Sequence, residues 1–216
     1  SGLVPRGSHM RLRPLGIEGV WEITPEQRAD PRGVFLDWYH VDRFAEAIGR
    51  PLRLAQANLS VSVRGVVRGI HFVDVPPGQA KYVTCVRGAV FDVVVDLRVG
   101  SPTYGCWEGT RLDDVSRRAV YLSEGIGHGF CAISDEATLC YLSSGTYDPA
   151  TEHGVHPLDP ELAIDWPTGT PLLSPRDQDA LLLAEARDAG LLPTYATCQA
   201  VTVPSPAPGS VGDPGP

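Results

Sequence analysis

Ala89-Val90-Phe91-Asp92-Val93-Val94-Val95-Asp96-Leu97-Arg98 reads as a β-strand, because β-branched and aromatic residues fill it and polar residues recur at every second position of its second half. Alternation sets Ala89, Phe91, Val93, Val95 and Leu97 on one face and Asp92, Val94, Asp96 and Arg98 on the other. One face is expected to pack and the other to carry carboxylates. Working outward, Arg53 to Tyr147 is a series of short apolar segments separated by turn clusters such as Pro76-Pro77-Gly78, Gly100-Ser101-Pro102 and Gly125-Ile126-Gly127. That pattern predicts an all-β sandwich or barrel. The same count puts His71 with Val67 and Gly69, Lys81 with Val83 and Cys85, His128 with Phe130, and Tyr141 with Leu139 and Ser143.

Helices are few and peripheral. Asp42 to Ile48 presents Phe44, Ala45 and Ile48 as a stripe, with Gly49 as the C-terminal cap. A second helix is expected from Ser174 to Gly190, opened by Ser174 as N-cap, Pro175 at the first helical position and Asp177 as the acidic member of a capping box. Gly125-x-Gly127-x-Gly129 leads into apolar, strand-like residues and reads as a tight turn, not a dinucleotide fingerprint.

Residues 1–10 read as a protease-site scar from an expression vector, with Met10 as the expected native start. Residues 11–198 are expected to form one domain, and 199–216, rich in Pro, Gly and Ser, a disordered tail. The formal net charge of −8 and the lack of a basic stripe argue against nucleic-acid binding. No apolar run approaches the roughly 20 residues of a membrane span, and no leader follows Met10, so a soluble, cytoplasmic protein is expected. The five cysteines lack C-x-x-C spacing; four lie in strand-like segments, where a reduced thiol acts as a small hydrophobe.

Lys81 is the only lysine beside seventeen arginines, and it follows His71 by ten residues. A histidine base and a compact, tunable cation on neighbouring strands suit proton abstraction next to a carbonyl.

Asp30-Pro31-Arg32-Gly33-Val34-Phe35, Gly65-Val66-Val67-Arg68-Gly69-Ile70-His71-Phe72, Phe91 to Arg98, Ser101-Pro102-Thr103-Tyr104-Gly105-x-Trp107, Gly127-His128-Gly129-Phe130 and Leu173-Ser174-x-x-Asp177 share their order and spacing with one family. From Gly16 to Gln199 the chain resembles the dTDP-4-dehydrorhamnose 3,5-epimerases and their relatives acting on dTDP-4-keto-6-deoxyhexoses. The resemblance implies a cupin-type jelly roll, no metal and no cofactor. It also implies a homodimer whose N-terminal segment reaches the partner's active site.

A 4-keto group acidifies the hydrogens on C3 and C5, so inversion needs a base, a cation at the enolate oxygen and an acid on the opposite face. By resemblance His71 is the base, Lys81 the enolate cation, Tyr141 the acid, and Asp177 the carboxylate that orients His71. As a residue alone, Asp177 has the helix cap as its competing role. Arg68 resembles a substrate or phosphate ligand, while Arg32, Gln56 and Asn58 match nucleotide-binding positions. Asp92 and His128 are expected to line the pocket and Tyr147 to stack on the base. The chain departs from the family at Asp37, where a substrate-binding glutamate is usual, and at Ala57, Leu59 and Leu142, all expected around the sugar. Two other classes remain: a metal-dependent cupin dioxygenase or isomerase, and a non-catalytic sugar-nucleotide-binding module. The first lacks an H-x-H pair, with His153 and His156 read as surface-loop residues, and the second is at odds with an intact His71, Lys81, Tyr141 and Asp177.

Overall fold

The structure is a computed structural model that describes residues 10–202. Most of the vector scar and the tail beyond Thr202 therefore lie outside the described residues. In chain order the elements are β1 Arg11–Pro14, β2 Val20–Thr24, β3 Arg28–Asp30, β4 Gly33–Phe35, α1 Val41–Ile48, β5 Gln56–Val63, β6 Val67–Val73, β7 Lys81–Arg87 and β8 Ala89–Asp96. They continue as β9 Trp107–Asp113, β10 Ala119–Leu122, β11 Ile126–Ala132, β12 Glu136–Ser143, β13 Glu152–Gly154, α2 Pro175–Gln178, α3 Leu183–Asp188 and α4 Tyr195–Thr202.

Two antiparallel sheets make the sandwich: β1-β2-β10-β7-β12-β5 and β13-β6-β11-β8-β9, with β3 and β4 as a separate hairpin. This is the expected jelly roll. Val83, Val120, Leu122 and Leu139 from the first sheet meet Val90, Val94, Leu112, Ile126 and Phe130 from the second, and this apolar layer holds the sheets together.

The expectation that only one face of β8 packs is corrected. Val90 and Val94 face the inter-sheet core, and Val93, Val95 and Leu97 on the other side are buried as well. Leu162, Trp166, Leu183 and Ala186 of the C-terminal segment cover that second side. Sheets buried on both faces read as near-continuous apolar runs, which is why Val93-Val94-Val95 shows no alternation.

Helix α1 forms as expected. Its C-cap Gly49 takes the left-handed conformation at φ 87°, which glycine adopts without a steric cost. Phe44 is fully buried against Tyr39, Tyr82 and Tyr121, closing one end of the outer face of the six-stranded sheet. The single helix expected over Ser174–Gly190 is instead two, α2 and α3. Between them Leu181 forms a parallel bridge with Val155, and the Leu181 carbonyl accepts from His156 N–H. The intervening backbone pairs with the sheet side and cannot continue the helical ladder; α3 restarts where the Glu185 carboxylate accepts from Leu182 N–H at 2.9 Å. Of the tail expected from Gln199, residues 199–202 belong to α4, where Gln199 donates to Glu18 at 3.1 Å, and the rest lies outside the described residues. Three cysteines, not four, sit in strands: Cys106 precedes β9, and Cys198 is buried in α4. Among the described residues, no helix is long and apolar enough to cross a membrane.

Candidate active site

His71 lies on β6, where the ladder with β11 slips. His128 pairs with His71, but Phe130 pairs with Arg68, so three steps of β6 oppose two of β11. That extra residue is a β-bulge, and it changes which face each side chain leaves from. Strict alternation puts Arg68 and His71 on opposite faces; the bulge sends both into one cavity. Its cause is the glycine pair Gly69 and Gly129. A Cβ on Gly69 would lie 2.6 Å from the Gly129 Cα, and one on Gly129 would lie 2.8 Å from the Arg68 carbonyl oxygen. Only glycine lets the two backbones approach this closely.

The cavity, of about 430 Å³, lies between the two sheets. The five-stranded sheet contributes Arg68, His71, His128 and Phe130, with Glu152 on its edge strand β13. The six-stranded sheet contributes Gln56, Asn58 and Ser60 from β5, Lys81 from β7, and Tyr141 and Ser143 from β12. Gln79 and Tyr147 close it from the adjoining loops.

His71 Nε2 is 2.7 Å from Asp177 Oδ1, and the other carboxylate oxygen accepts from Gly69 N–H at 3.4 Å. Burial raises the Asp177 carboxyl, but the His71 hydrogen bond and charge outweigh it and hold it below the usual carboxylate range. An ionised Asp177 can only accept, so Nε2 carries the hydrogen and Nδ1 keeps the lone pair of a base. Ser174 does cap α2, its Oγ accepting from Asp177 N–H at 3.1 Å. The reciprocal half of the capping box is absent, because the Asp177 side chain is turned to His71 instead.

A second pair stands beside the first. His128 Nε2 is 2.7 Å from Asp92 Oδ2, while Asp92 Oδ1 is buried without a partner. Lys81 is nearly inaccessible at the start of β7, and burial drives its ammonium below the ordinary lysine range, opposed by the charges of Glu152 and Asp92. Burial also raises the Tyr141 phenol, helped by Glu152 and opposed by Arg68. Tyr141 therefore keeps its proton at neutral pH.

Of the twelve site residues expected from sequence, eight line the cavity, and Asp177 and Asp92 stand behind its two histidines. Gln56 also spans the rim, its Oε1 accepting from Tyr147 N–H at 2.8 Å and its Nε2 donating to Asn58 Oδ1 at 2.6 Å. Arg68 donates through Nε to Ser62 Oγ at 3.1 Å, tying β6 to β5. Arg32 and Asp37 are not brought to this cavity. Arg32 is on the exposed β3–β4 hairpin, paired with Asp30, and Asp37 lies in the segment after it.

Ser60, Gln79, Phe130, Ser143 and Glu152 line the cavity without having been singled out as site residues. Ser60 continues the face of Gln56 and Asn58 by plain alternation, and Ser143 that of Tyr141, so both were within reach of the sequence. Glu152 was hidden by its short edge strand. The same strand corrects the surface-loop reading of His153, which is half-buried against Phe72 and bonded to Asp74 at 2.8 Å. Ala57, Leu59 and Leu142 do not surround the sugar. They alternate with the cavity-facing residues of β5 and β12 and point out of the sandwich.

A family model described as dTDP-4-dehydrorhamnose 3,5-epimerase matches residues 14–185. The chain belongs to the dTDP-4-dehydrorhamnose 3,5-epimerase family. A relative of that name from Mycolicibacterium smegmatis is 56% identical over 192 residues, 88% of this chain and 94% of its own. The structure of the Mycobacterium tuberculosis RmlC epimerase superposes with a TM-score of 0.88 at 48% identity, covering 89% of this chain and 98% of that one. ChmJ, a 3′-monoepimerase from Streptomyces bikiniensis solved with dTDP-quinovose, gives 0.85 at 50% identity, covering 88% and 96%. The metal-cupin and binding-module readings find no support among these epimerase-family relatives.

Proposed function

We propose that this protein epimerises a dTDP-4-keto-6-deoxyhexose at C3, C5 or both, as a step in making rhamnose or an antibiotic deoxysugar. One observation carries the reading: the His71–Asp177 pair on one sheet faces Lys81 and Tyr141 on the other across a single cavity. Inversion requires a base and an acid on opposite faces of one carbon, and two facing sheets supply opposite faces directly. His71 Nδ1 takes the proton from the carbon beside the ketone. The 4-ketone is itself the electron sink, so the reaction draws on no cofactor, and the Lys81 ammonium balances the oxyanion in a site that excludes water. Tyr141 then gives its hydroxyl proton to the other face. Asn58, Arg68, His128, Gln56 and Tyr147 bind the sugar nucleotide around this centre.

The active unit in this proposal is a homodimer. The outward residues of edge strand β5, Leu59, Val61 and Val63, form an exposed apolar stripe, and the β3–β4 hairpin exposes Val34 and Phe35. An uncovered edge strand with apolar side chains is a surface that calls for a partner. A hairpin docked there would carry Arg32, and with it Asp37, toward the partner's cavity and its pyrophosphate. Unpaired thiols and a charged sugar-nucleotide substrate suit the cytoplasm.

Incubation with dTDP-4-keto-6-deoxyglucose in deuterium oxide, followed by NMR, tests the assignment. Label should enter at the inverted carbon. Tyr141→Phe should still exchange label into the starting sugar while epimer formation falls sharply, and His71→Asn should lose both by at least about 10²-fold. Epimer formed by Tyr141→Phe at an undiminished rate would transfer the acid role to His128.

A further inference from the structure

Strand β5 turns polar side chains inward, Gln56, Asn58 and Ser60 to the cavity and Ser62 to the buried interior, where a sandwich strand ordinarily turns apolar ones. Three of the four are occupied. Gln56 bonds Asn58 and Tyr147 N–H, and Ser62 Oγ accepts from Arg68 Nε at 3.1 Å. Ser60 is not: its Oγ is buried without a hydrogen bond, and among the described residues it is the one such side-chain atom in the cavity's lining. Across the ladder stands Leu139, whose side chain offers no polar partner. A buried hydroxyl left unpaired costs stability that an alanine would not, so the fold gains nothing from it where it stands.

Arg68 lies alongside. Its Nε reaches Ser62 and its Nη2 the Val61 carbonyl at 3.4 Å, which lays the guanidinium across β5 one same-face step, about 7 Å along the strand, from Ser60. Nη1 is left for the cavity that both residues line. A guanidinium and a hydroxyl at that spacing suit an anion with several oxygens, and a phosphate chain is long enough to meet both. A single sugar hydroxyl would serve one and leave the other unmet. Both residues also stand near the open side of the sandwich, since β5 is the edge of its sheet and only the short β13 lies beyond β6 in the other. A charged group bound there keeps part of its hydration.

We infer that Ser60 is a phosphate-binding residue, which with Arg68 holds the diphosphate of the sugar nucleotide by donating its hydroxyl hydrogen to a phosphate oxygen. The inference rests on the sugar-nucleotide reading of the cavity. The hydroxyl is shut off from the cavity where it stands, and a turn about χ1 to another staggered well carries it in. A bond to a charged oxygen then replaces no bond at all, so nothing is broken to make it. The diphosphate is thereby fixed at the edge of one sheet while His71 and Tyr141 act on the sugar. Ser60 binds the ground state and the transition state equally, and its contribution belongs to affinity, not to the chemical step.

Two variants test it: Ser60→Ala removes the hydroxyl, and Ser60→Cys keeps a similar volume with only a weak donor. By calorimetry both should bind dTDP roughly tenfold more weakly than wild type, the worth of one hydrogen bond to a charged group. Inorganic pyrophosphate, measured by displacement of dTDP, should weaken by the same factor, and thymidine should bind as before. With dTDP-4-keto-6-deoxyglucose the KM should rise correspondingly while kcat stays near wild type, the mark of uniform binding. In urea, without ligand, Ser60→Ala should be at least as stable as wild type, which a packing role for Ser60 would not allow. Affinity for dTDP within twofold of wild type in both variants overturns the inference, as does thymidine weakening in step with dTDP or a loss of stability in Ser60→Ala. Wild-type protein that does not bind dTDP removes the sugar-nucleotide reading and this inference with it, whereas firm wild-type binding matched by both variants removes the role of Ser60 alone.

Discussion

Asp92 and Asp96 sit on the same face of β8, four residues apart and almost fully buried, yet they are handled in opposite ways. Asp96 is saturated: Oδ1 accepts from the backbone N–H and Nε of Arg98 at 3.1 and 2.8 Å, and Oδ2 from Arg98 Nη2, Ser101 and Thr103 at 2.9, 2.6 and 2.6 Å. Asp92 has His128 alone on one oxygen and nothing on the other. A carboxylate with every lone pair engaged pins a turn, and its charge is spent locally. One left half-satisfied at a cavity keeps its field for whatever occupies that cavity. Burial alone does not separate structural from functional acids here; the completeness of hydrogen bonding does.

The largest effect that sharpens this contrast is on stability. Asp96→Ala leaves the Arg98 guanidinium buried and without its carboxylate, which should cost about 3–5 kcal/mol in urea unfolding, while the folded fraction keeps its turnover. The pH dependence carries a sign. Burial raises the Asp96 carboxyl, but the bonds from Arg98, Ser101 and Thr103 overcome this and leave its folded value depressed. Its stabilisation is therefore complete above the ordinary carboxylate range and is lost as pH falls through the depressed value. Asp96→Asn should flatten that acid limb. A variant at position 96 that unfolds like wild type but turns over slowly would break the comparison.

A smaller effect, of the opposite kind, is expected at the other carboxylate. Asp92→Asn keeps an acceptor for His128 and removes only the charge, so stability should change by no more than about 1 kcal/mol, the worth of one hydrogen bond. Turnover should fall about tenfold, equivalent to about 1.4 kcal/mol of barrier. A substitution here that costs stability and spares turnover would make Asp92 a structural acid like its neighbour.

The smallest effect is a displacement on the pH axis. Lys81 must be protonated to balance the enolate, and its burial-depressed value places an alkaline limb below the ordinary lysine range, while the raised Tyr141 keeps its proton there. Activity should fall as pH rises through the Lys81 value. Because the Asp92 charge favours the ammonium, Asp92→Asn should move that limb to lower pH, and Lys81→Arg, which cannot lose its proton in this range, should abolish it. A limb unmoved by Asp92→Asn would mean that the carboxylate acts only through His128.

Several features were legible in the chain because their causes are local. Valine-rich segments between Gly and Pro clusters forecast the β-sandwich, Gly49 ended α1, and Ser174 capped α2. The order and spacing of the strings around His71, His128 and Asp177 gave the family and most of the cavity's polar residues. Alternation found Tyr141 with Ser143 on one face, since β12 is regular over those residues.

Other features depend on residues far apart in the sequence, and there local rules failed for physical reasons. Arg68 and His71 share a cavity only because Gly69 meets Gly129 across β6 and β11, which inserts a bulge that no count along β6 reveals. Asp177 had two partners open to it, a helix cap and His71, and the packing of α2 against β6 settled the choice. The Ser174–Gly190 helix was divided by a bridge to Val155, a contact with no trace in the helix's own pattern. Ala57, Leu59 and Leu142 look like pocket residues by their place beside Asn58 and Tyr141, but the pleat turns them outward. By itself the sequence determined the periods, the caps and the chemical groups present. Which of those groups meet across the two sheets was decided by tertiary structure, because side chains converge only after the backbone's bulges and pairings have set their directions.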